Sequence, residues 1–561
     1  MISLRRVPLA AALVGGIVFA PALSAQSVEL RSGRTVQGTL AEGDTAVYTV
    51  DAGEDYFVFG EVDQISVDVV LRILDPEGNQ RGRVDGPARG VERFSGETSV
   101  AGVHSIQVIP AEGEAGAYAI TLRRLEPVAT DGRRLAEQLM AEYDGDSPGA
   151  AIQVWRDGRT VYSESWGMAN LAYGIPFDTE TRTNIGSTSK QFTAFAVMLQ
   201  AERGALALDD DIRKHVPELP EFDQTVTVEH LITHTSGLRE IFNLLLMTGR
   251  RIDHGDYIER DEVIDVVQRQ PALQNAPGAE WNYNNTAFAL AALIVERTSG
   301  QTFPAFMEEN VFGPLGMDHT LVRAHAEAVV PDHSQGYAPG PDGFVEIRDL
   351  SAAIGAGAIY STVGDLQKWV QNYAEPRVGS REIFDAMMTS YVLTDGEESG
   401  YGYGLFIDDQ GGTRRVHHGG ADIAHRSMLA YYPEFNAGIT TQSNHASFDS
   451  NVAFRLAGAF FSDVIESEAD DVAGGEAFDP ETYDPTAFDE LAGRYALDAA
   501  PNFILTFSRE GSTYYTQATG QQAIEIVPTS DSTFSLTVVD ASVVFHRNEA
   551  GQVDALTLNQ N

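Results

Sequence analysis

The stretch Phe192-Thr193-Ala194-Phe195-Ala196-Val197-Met198-Leu199 carries no charge and follows directly on Ser187-Thr188-Ser189-Lys190-Gln191. A helix that is apolar on every side has no solvent face, so it must lie inside a large domain with other elements packed around it. The residues before it are turn-prone (Asp178, Thr181, Thr183, Gly186), which puts Ser187 and Lys190 at the N-terminus of that buried helix. Residues three apart share a helical face, so the Lys190 amine reaches the Ser187 hydroxyl. A serine hydroxyl is a weak nucleophile until a base takes its proton. A lysine in apolar surroundings has its charged form disfavoured and can be that base. The helix N-terminus also offers free N–H groups to a developing oxyanion. Taken alone, S-x-x-K is a frequent pattern, and an exposed helix start carries it equally well.

Two further patterns follow in the chain. Pro277-Gly278-Ala279-Glu280-Trp281-Asn282-Tyr283-Asn284-Asn285 contains Y-x-N. In an extended segment Tyr283 and Asn285 point the same way. A phenol made more acidic by a nearby cation can shuttle protons, and an amide can hold both Lys190 and substrate. By itself this is equally a Tyr and an Asn in a turn. His418-Gly419-Gly420 fits H-x-G, followed by Ala421 and by the strand-like run Ser427 to Tyr432. A glycine at 420 lets substrate lie against a strand edge, and a cation at His418 can bind a carboxylate or carbonyl. His417 is adjacent, so the register is ambiguous. We take His418, because Gly420 then falls two residues later, and we take His417 as packing.

The rest of the chain sets the frame. With 561 residues it is too long for one core, and 43% hydrophobic with 21% charged residues is ordinary for globular protein. The charge is not: 81 acidic against 38 basic residues give −43, which disfavours nucleic acid and anionic membrane as partners. Arg5 and Arg6, the apolar run Leu9 to Leu23 and the small residues Ala22, Ser24 and Ala25 have the layout of a secretory signal over residues 1–25. The expectation is an exported chain, periplasmic or extracellular, without a membrane span once processed. There is no cysteine, which excludes a disulfide framework, a Cys nucleophile and Cys-ligated metal.

Residues 27–126 read as all-β, with Ser66 to Leu74 running into the turn Asp75-Pro76-Glu77-Gly78 and with Ala117 to Leu122 alternating. They resemble the small β-sandwich modules appended to secreted bacterial hydrolases. Residues 130–465 mix helix and strand patterns and hold every catalytic signal. Residues 466–490 carry ten acidic residues and no basic one, the composition of a solvated linker. Residues 491–561 return to β alternation, with Phe503, Leu505 and Phe507, Tyr515, Val543 and Phe545, and turns at Arg509-Glu510-Gly511 and Asn548 to Gly551. Leu491-Ala492-Gly493-Arg494-Tyr495 resembles the opening of a small β-barrel domain.

S-x-x-K, Y-x-N and H-x-G occur in that order, about 95 and 130 residues apart. With them stand His234-Thr235-Ser236-Gly237-Leu238, Gly313-Pro314-Leu315-Gly316-Met317, Gly355-Ala356-Gly357, Ser361 to Leu366 and Tyr401-Gly402-Tyr403-Gly404-Leu405. Together they make residues 130–465 resemble the serine β-lactamase and penicillin-binding-protein family, in its class C β-lactamase, D-aminopeptidase and esterase branch. The resemblance implies an α+β multidomain chain: a helical lobe against an antiparallel sheet flanked by helices, between an N-terminal β-sandwich and a C-terminal small β-barrel. It implies that Lys190 and Tyr283 deprotonate Ser187, that the N–H groups of Ser187 and Ala421 form an oxyanion hole, and that Asn285, Gly420 and Ala421 bind substrate. It also implies a cofactor-free, metal-free hydrolase of D-amino-acid peptides, amides or small esters, acting on a small molecule or short peptide. His418 stands where β-lactam-directed relatives carry lysine, which leans away from β-lactamase or D-Ala-D-Ala carboxypeptidase activity. Ala424 stands where many relatives have glycine, at the expected rim of the site. The competing readings are a non-catalytic peptidoglycan or peptide sensor, and a metal enzyme built on His230 and His234, for which no third ligand is evident.

Overall fold

A computed structural model describes residues 2–7, 27–111, 113–250, 256, 258, 260–270, 272–348, 353–466, 483–497, 500–518, 524–530, 532–536, 541–547 and 553–560. They form two compact units, residues 23–467 and a second made of residues 1–22 with 468–561.

The first unit opens with a β-sandwich. One sheet holds Thr35–Leu40, Gly116–Pro127, Tyr56–Gln64 and Gly90–Glu97, and the other holds Val28–Glu29, Ala46–Ala52, Gly102–Pro110, Val69–Leu74 and Gln80–Val84. The alternating residues Val62, Val69, Leu71, Val108, Ile120 and Leu122 meet between the sheets. The turn after Leu74 forms because the Asp75 carboxylate accepts from the N–H groups of Glu77 (2.9 Å) and Asn79 (2.8 Å). Phe57 and Phe59 on the sandwich pack on Ala141 of the following domain, and Glu97 pairs with Arg455 at 2.6 Å.

That domain is built on an antiparallel sheet of six strands, in the order Arg159–Trp166, Ala150–Arg156, Ala437–Ser443, Arg426–Tyr432, Thr413–Ala421 and Phe406–Gln410. Helices Gly132–Leu139 and Val452–Phe460 cover one face through Leu135, Ala136, Leu456 and Ala457, against Ile152, Val154, Ala430 and Ile439. The other face meets the helix Val363–Ala374 and a helical lobe. At the centre of that lobe is the helix Lys190–Glu202, buried from Lys190 to Gln200, as its unbroken apolar run requires. Trp369 stacks on Phe192 with ring centroids 4.4 Å apart, and Phe384 stacks on Phe195 at 5.2 Å. Truncating either phenylalanine to alanine would cost about 3–5 kcal/mol. In this helix Gln191 Oε1 accepts from Trp369 Nε1 (2.7 Å) and Tyr373 OH (2.6 Å), while its Nε2 is buried without a partner among the described residues.

The second unit is a closed barrel of eight strands: Ile2–Val7, Gly493–Leu497, Ala500–Glu510, Thr513–Ala518, Ile524–Pro528, Thr533–Leu536, Ala541–Arg547 and Val553–Gln560. Leu505, Phe507, Val543 and Phe545 turn inward with Tyr495, Phe534 and Leu556. Two features differ from the sequence reading. Tyr483 and Phe488 belong to this barrel core, although their acidic neighbours read as linker. Ile2–Val7, read as the start of an export signal, closes the barrel by pairing with Gly493–Leu497 and Val553–Gln560. Signal cleavage and barrel closure make opposite demands on these residues, because removing the strand would leave two unpaired edges. The apolar run Leu9 to Leu23, residues 467–482 of the acidic stretch and the turn expected at Asn548 to Gly551 lie outside the described residues. Among the described residues no helix is long and apolar enough to cross a membrane.

Candidate active site

The site lies where the N-terminus of helix Lys190–Glu202 meets the strand Thr413–Ala421. Ser187 sits in a tight turn, Gly186–Ser189, that leads into the helix, and it is partly exposed while Lys190 is fully buried. The Lys190 ammonium nitrogen has three oxygen neighbours: Ser187 Oγ at 2.9 Å, Asn285 Oδ1 at 2.8 Å and Ala356 O at 2.9 Å. Burial draws the Lys190 pKa down to about 7, with the Glu240 carboxylate opposing the shift. The neutral amine has two N–H bonds and one lone pair. The two carbonyl oxygens can only accept, so the N–H bonds go to them and the lone pair is left for the Ser187 O–H. This arrangement can take a proton from a serine.

Tyr283 is hydrogen-bonded to Ser187. Lys190 Nζ lies over its ring face, 4.7 Å from the centroid. Burial and Glu240 push the phenol's pKa up, and only its hydrogen bond with Ser187 opposes them. Tyr283 is therefore a neutral phenol, not the acidified one that the sequence allowed, because desolvation dominates. Lys190 is the group whose neutral form is accessible near pH 7.

Of the two roles open to His418, a cation for a carboxylate or a neutral hydrogen-bond partner, its surroundings favour the second: it is 2% exposed, and burial together with Lys190 draws its pKa down to about 3. Its Nδ1–H donates to Gly419 O (2.6 Å), and Nε2 accepts from Tyr401 OH (3.0 Å), which engages both ring nitrogens. His417, on the opposite face of the strand, stacks on Phe406 with centroids 5.5 Å apart and bonds to Asp408 at 3.1 Å.

The glycines of this strand have a different partner from the one expected. A Cβ at Gly420 would stand 1.9 Å from Ile185 O, so the atom that requires glycine is a carbonyl of the nucleophile turn, not substrate. The Ala421 main chain abuts Gly186, whose φ is +50° and whose Cβ would lie 2.5 Å from Ala421 N. Buried hydroxyls pin the contact. Thr188 Oγ1 donates to His418 O (3.1 Å) and lies 2.9 Å from Ser427 Oγ, which donates to Ile185 O (2.8 Å). Ala424 is 2% exposed and packed on Gly336, so it is interior and not rim.

Asn285 begins the helix Asn285–Ser299, capped by the Asn284 side chain on Ala287 N–H (2.8 Å). His234 lies past the end of the helix Val228–Ile232 with φ of +61°, so it shares no helical face with His230. Its Nδ1 accepts from Asn284 N–H (2.9 Å), and its ring lies 4.3 Å from that of Tyr283. His230 Nδ1 accepts from Thr227 N–H (3.2 Å). Each imidazole thus accepts from a main-chain N–H through Nδ1. Sequence reasoning gave no role to Thr188, Tyr401 and Ser427, which it met only within longer stretches, and it missed Glu240.

A lysine amine on a serine hydroxyl, between a helical lobe and an antiparallel sheet, is the arrangement of a serine hydrolase. The Beta-lactamase family matches residues 133–459, and the chain belongs to that family. Penicillin-binding protein 4* of Bacillus subtilis is 25% identical over 418 residues, which are 70% of this chain and 88% of that protein. The D-aminopeptidase of Brucella anthropi is 27% identical over 340 residues, 60% of this chain and 64% of that one. The match thus spans somewhat less than two thirds of the D-aminopeptidase. In three dimensions the octameric penicillin-binding protein homologue from Pyrococcus abyssi matches 76% of this chain and 99% of its own, with a TM-score of 0.54 at 24% identity. The chain is a serine hydrolase with the fold of this family.

Proposed function

We propose that the protein is an exported hydrolase that cleaves amide or ester bonds through an acyl-enzyme on Ser187, with D-amino-acid peptides, amides or small esters as substrates. The observation that carries this reading is the Lys190 nitrogen, 2.9 Å from Ser187 Oγ with two acceptor-only neighbours. Lys190 takes the hydroxyl proton as Oγ attacks the substrate carbonyl, and the N–H groups of Ser187 and Ala421 hold the oxyanion. Tyr283 O–H, bonded to Ser187, passes a proton to the departing amine or alcohol and is reprotonated from Lys190. Water then attacks the acyl-enzyme by the same route in reverse and releases the acid. Similarity to D-aminopeptidases supports the substrate class. A neutral, fully engaged His418 disfavours a substrate carboxylate at that position.

One preparation tested on chromogenic esters, D- and L-aminoacyl anilides and a cephalosporin decides among the substrates. Turnover of D-anilides or esters that vanishes in Ser187→Ala is expected. Turnover that persists in that variant, or cephalosporin hydrolysis alone, overturns the reading.

A further inference from the structure

Asn285 reaches Lys190 with one end of its amide and a carboxylate with the other. Its Nδ2 donates to Glu240 Oε1 (3.0 Å), and its main-chain N–H donates to Glu240 Oε2 (2.6 Å). The same Oε1 accepts from Phe242 N–H (3.1 Å). A primary amide is nearly symmetric in shape and can present either its C=O or its NH2 to a neighbour. Only one orientation suits a lysine base. With Asn285 Oδ1 and Ala356 O as acceptors, the lone pair of Lys190 is left for Ser187. With the amide turned over, an Asn285 N–H would occupy that lone pair and Ser187 would lose its base. A carboxylate can only accept, so Glu240, holding both N–H groups of Asn285, excludes the turned-over state. We propose that Glu240 is a positioning residue for acylation: by fixing the direction of the Asn285 amide, it aims the Lys190 lone pair at Ser187. This rests on Ser187 and Lys190 being nucleophile and base.

The ionisable groups around Lys190 are Glu240, Tyr283, His234 and His418. Both imidazoles are held neutral by burial and Tyr283 stays a phenol, so the charge that Lys190 meets there is the Glu240 carboxylate. Removing that charge disfavours the ammonium form. Glu240→Gln keeps the shape but turns one arm into a donor, which faces an Asn285 N–H until that amide turns over. The expected result is a loss of about 100-fold in kcat/KM and in fluorophosphonate labelling of Ser187, the scale of a misplaced catalytic group. The acid limb of the pH profile should move to lower pH at the same time. The chain has three lysines, Lys190, Lys214 and Lys368, so [ε-13C]lysine NMR reads the Lys190 titration directly. Glu240→Asp, which keeps the charge, should leave that titration closer to wild type and recover part of the rate. In an Asn285→Ala background Glu240→Gln should cost almost nothing further. Near-wild-type labelling with an unmoved Lys190 titration overturns the proposal, as does the same loss with and without Asn285. If the wild type is not labelled at Ser187, the acyl-enzyme reading falls instead, and the Lys190 titration in Glu240→Gln still decides whether Glu240 acts on Lys190.

Discussion

Lys190 in the catalytic domain and Glu92 in the β-sandwich are both drawn by burial to a pKa of about 7, one from above and one from below. Lys190 is fully buried and Glu92 is 1% exposed. What differs is what surrounds them. Lys190 has three oxygens within 2.9 Å, two of which can only accept, so its lone pair points at a partly exposed serine. Glu92 has one oxygen on the Gly86 N–H and the other without a partner among the described residues, and Asp85 and Asp68 add to its desolvation in disfavouring the charge. A shifted titration is therefore no mark of a site. The mark is a shifted group whose remaining valence is aimed at a reactive atom.

The largest test of this contrast is removal of the aimed groups. Ser187→Ala should abolish turnover and fluorophosphonate labelling. Lys190→Met should slow acylation by on the order of 10⁴–10⁶-fold, the range seen when nucleophile or base is removed from activated-serine enzymes. Labelling that moves to Ser236, or a Lys190→Met rate within tenfold of wild type, would break the assignment.

The pH profile comes next. Lys190 acts as the neutral amine, so kcat/KM should fall about tenfold per pH unit below about 7 and level off above it. With His418 neutral down to about 3, a carboxylate-bearing and an uncharged substrate should share this one limb between pH 5 and 8. An affinity for the carboxylate substrate that weakens through pH 6.5 would show a charged His418 and sink the neutral assignment.

A smaller loss should follow from the hydroxyls that join the nucleophile turn to the strand. Thr188→Val keeps the shape but breaks the bond to His418 O and leaves Ser427 without that neighbour. The Ala421 N–H would then shift relative to Ser187, with kcat falling about 10- to 100-fold and KM little changed. Unchanged kcat would show that Gly186 and Gly420 alone set the approach.

What could be read from the sequence follows the range of the interactions. Ser187 and Lys190 meet because they are three apart on one helix, and the Asp75 turn forms from atoms four residues apart, so both were legible. Tyr283 and Asn285 could be placed in a cleft, but Glu240, 45 residues from Asn285, could not be joined to them without the fold. The charge state of His418 and of the Tyr283 phenol could not be read for a related reason. Both are set by desolvation, which depends on what packs around a residue and leaves no trace in its neighbours along the chain. Ile2–Val7, which has the local pattern of the start of an export signal, also pairs with strands about 490 to 560 residues later, and nothing in its neighbours along the chain points to those partners.

The smallest effect, and the sharpest separation of the two buried groups, should come from Glu92→Gln. In the unfolded chain a glutamate titrates near 4.5, whereas in the sandwich it titrates near 7. The folded state thus favours the protonated acid. The stability this gives is complete below about 4.5 and is lost as pH rises through about 7, by at most about 3 kcal/mol. Glutamine cannot ionise and keeps an oxygen for the Gly86 N–H, so the variant should be about 1–3 kcal/mol more stable at pH 8 and equal to wild type at pH 4.5. Denaturant melts of the whole chain at the two pH values, followed by a signal from the sandwich, measure this. The kcat/KM limb near 7 should not move, because it belongs to Lys190. A limb that disappears with Glu92→Gln would mean that the sandwich carboxylate, not the lysine, governs activity, and would reverse the contrast drawn between them.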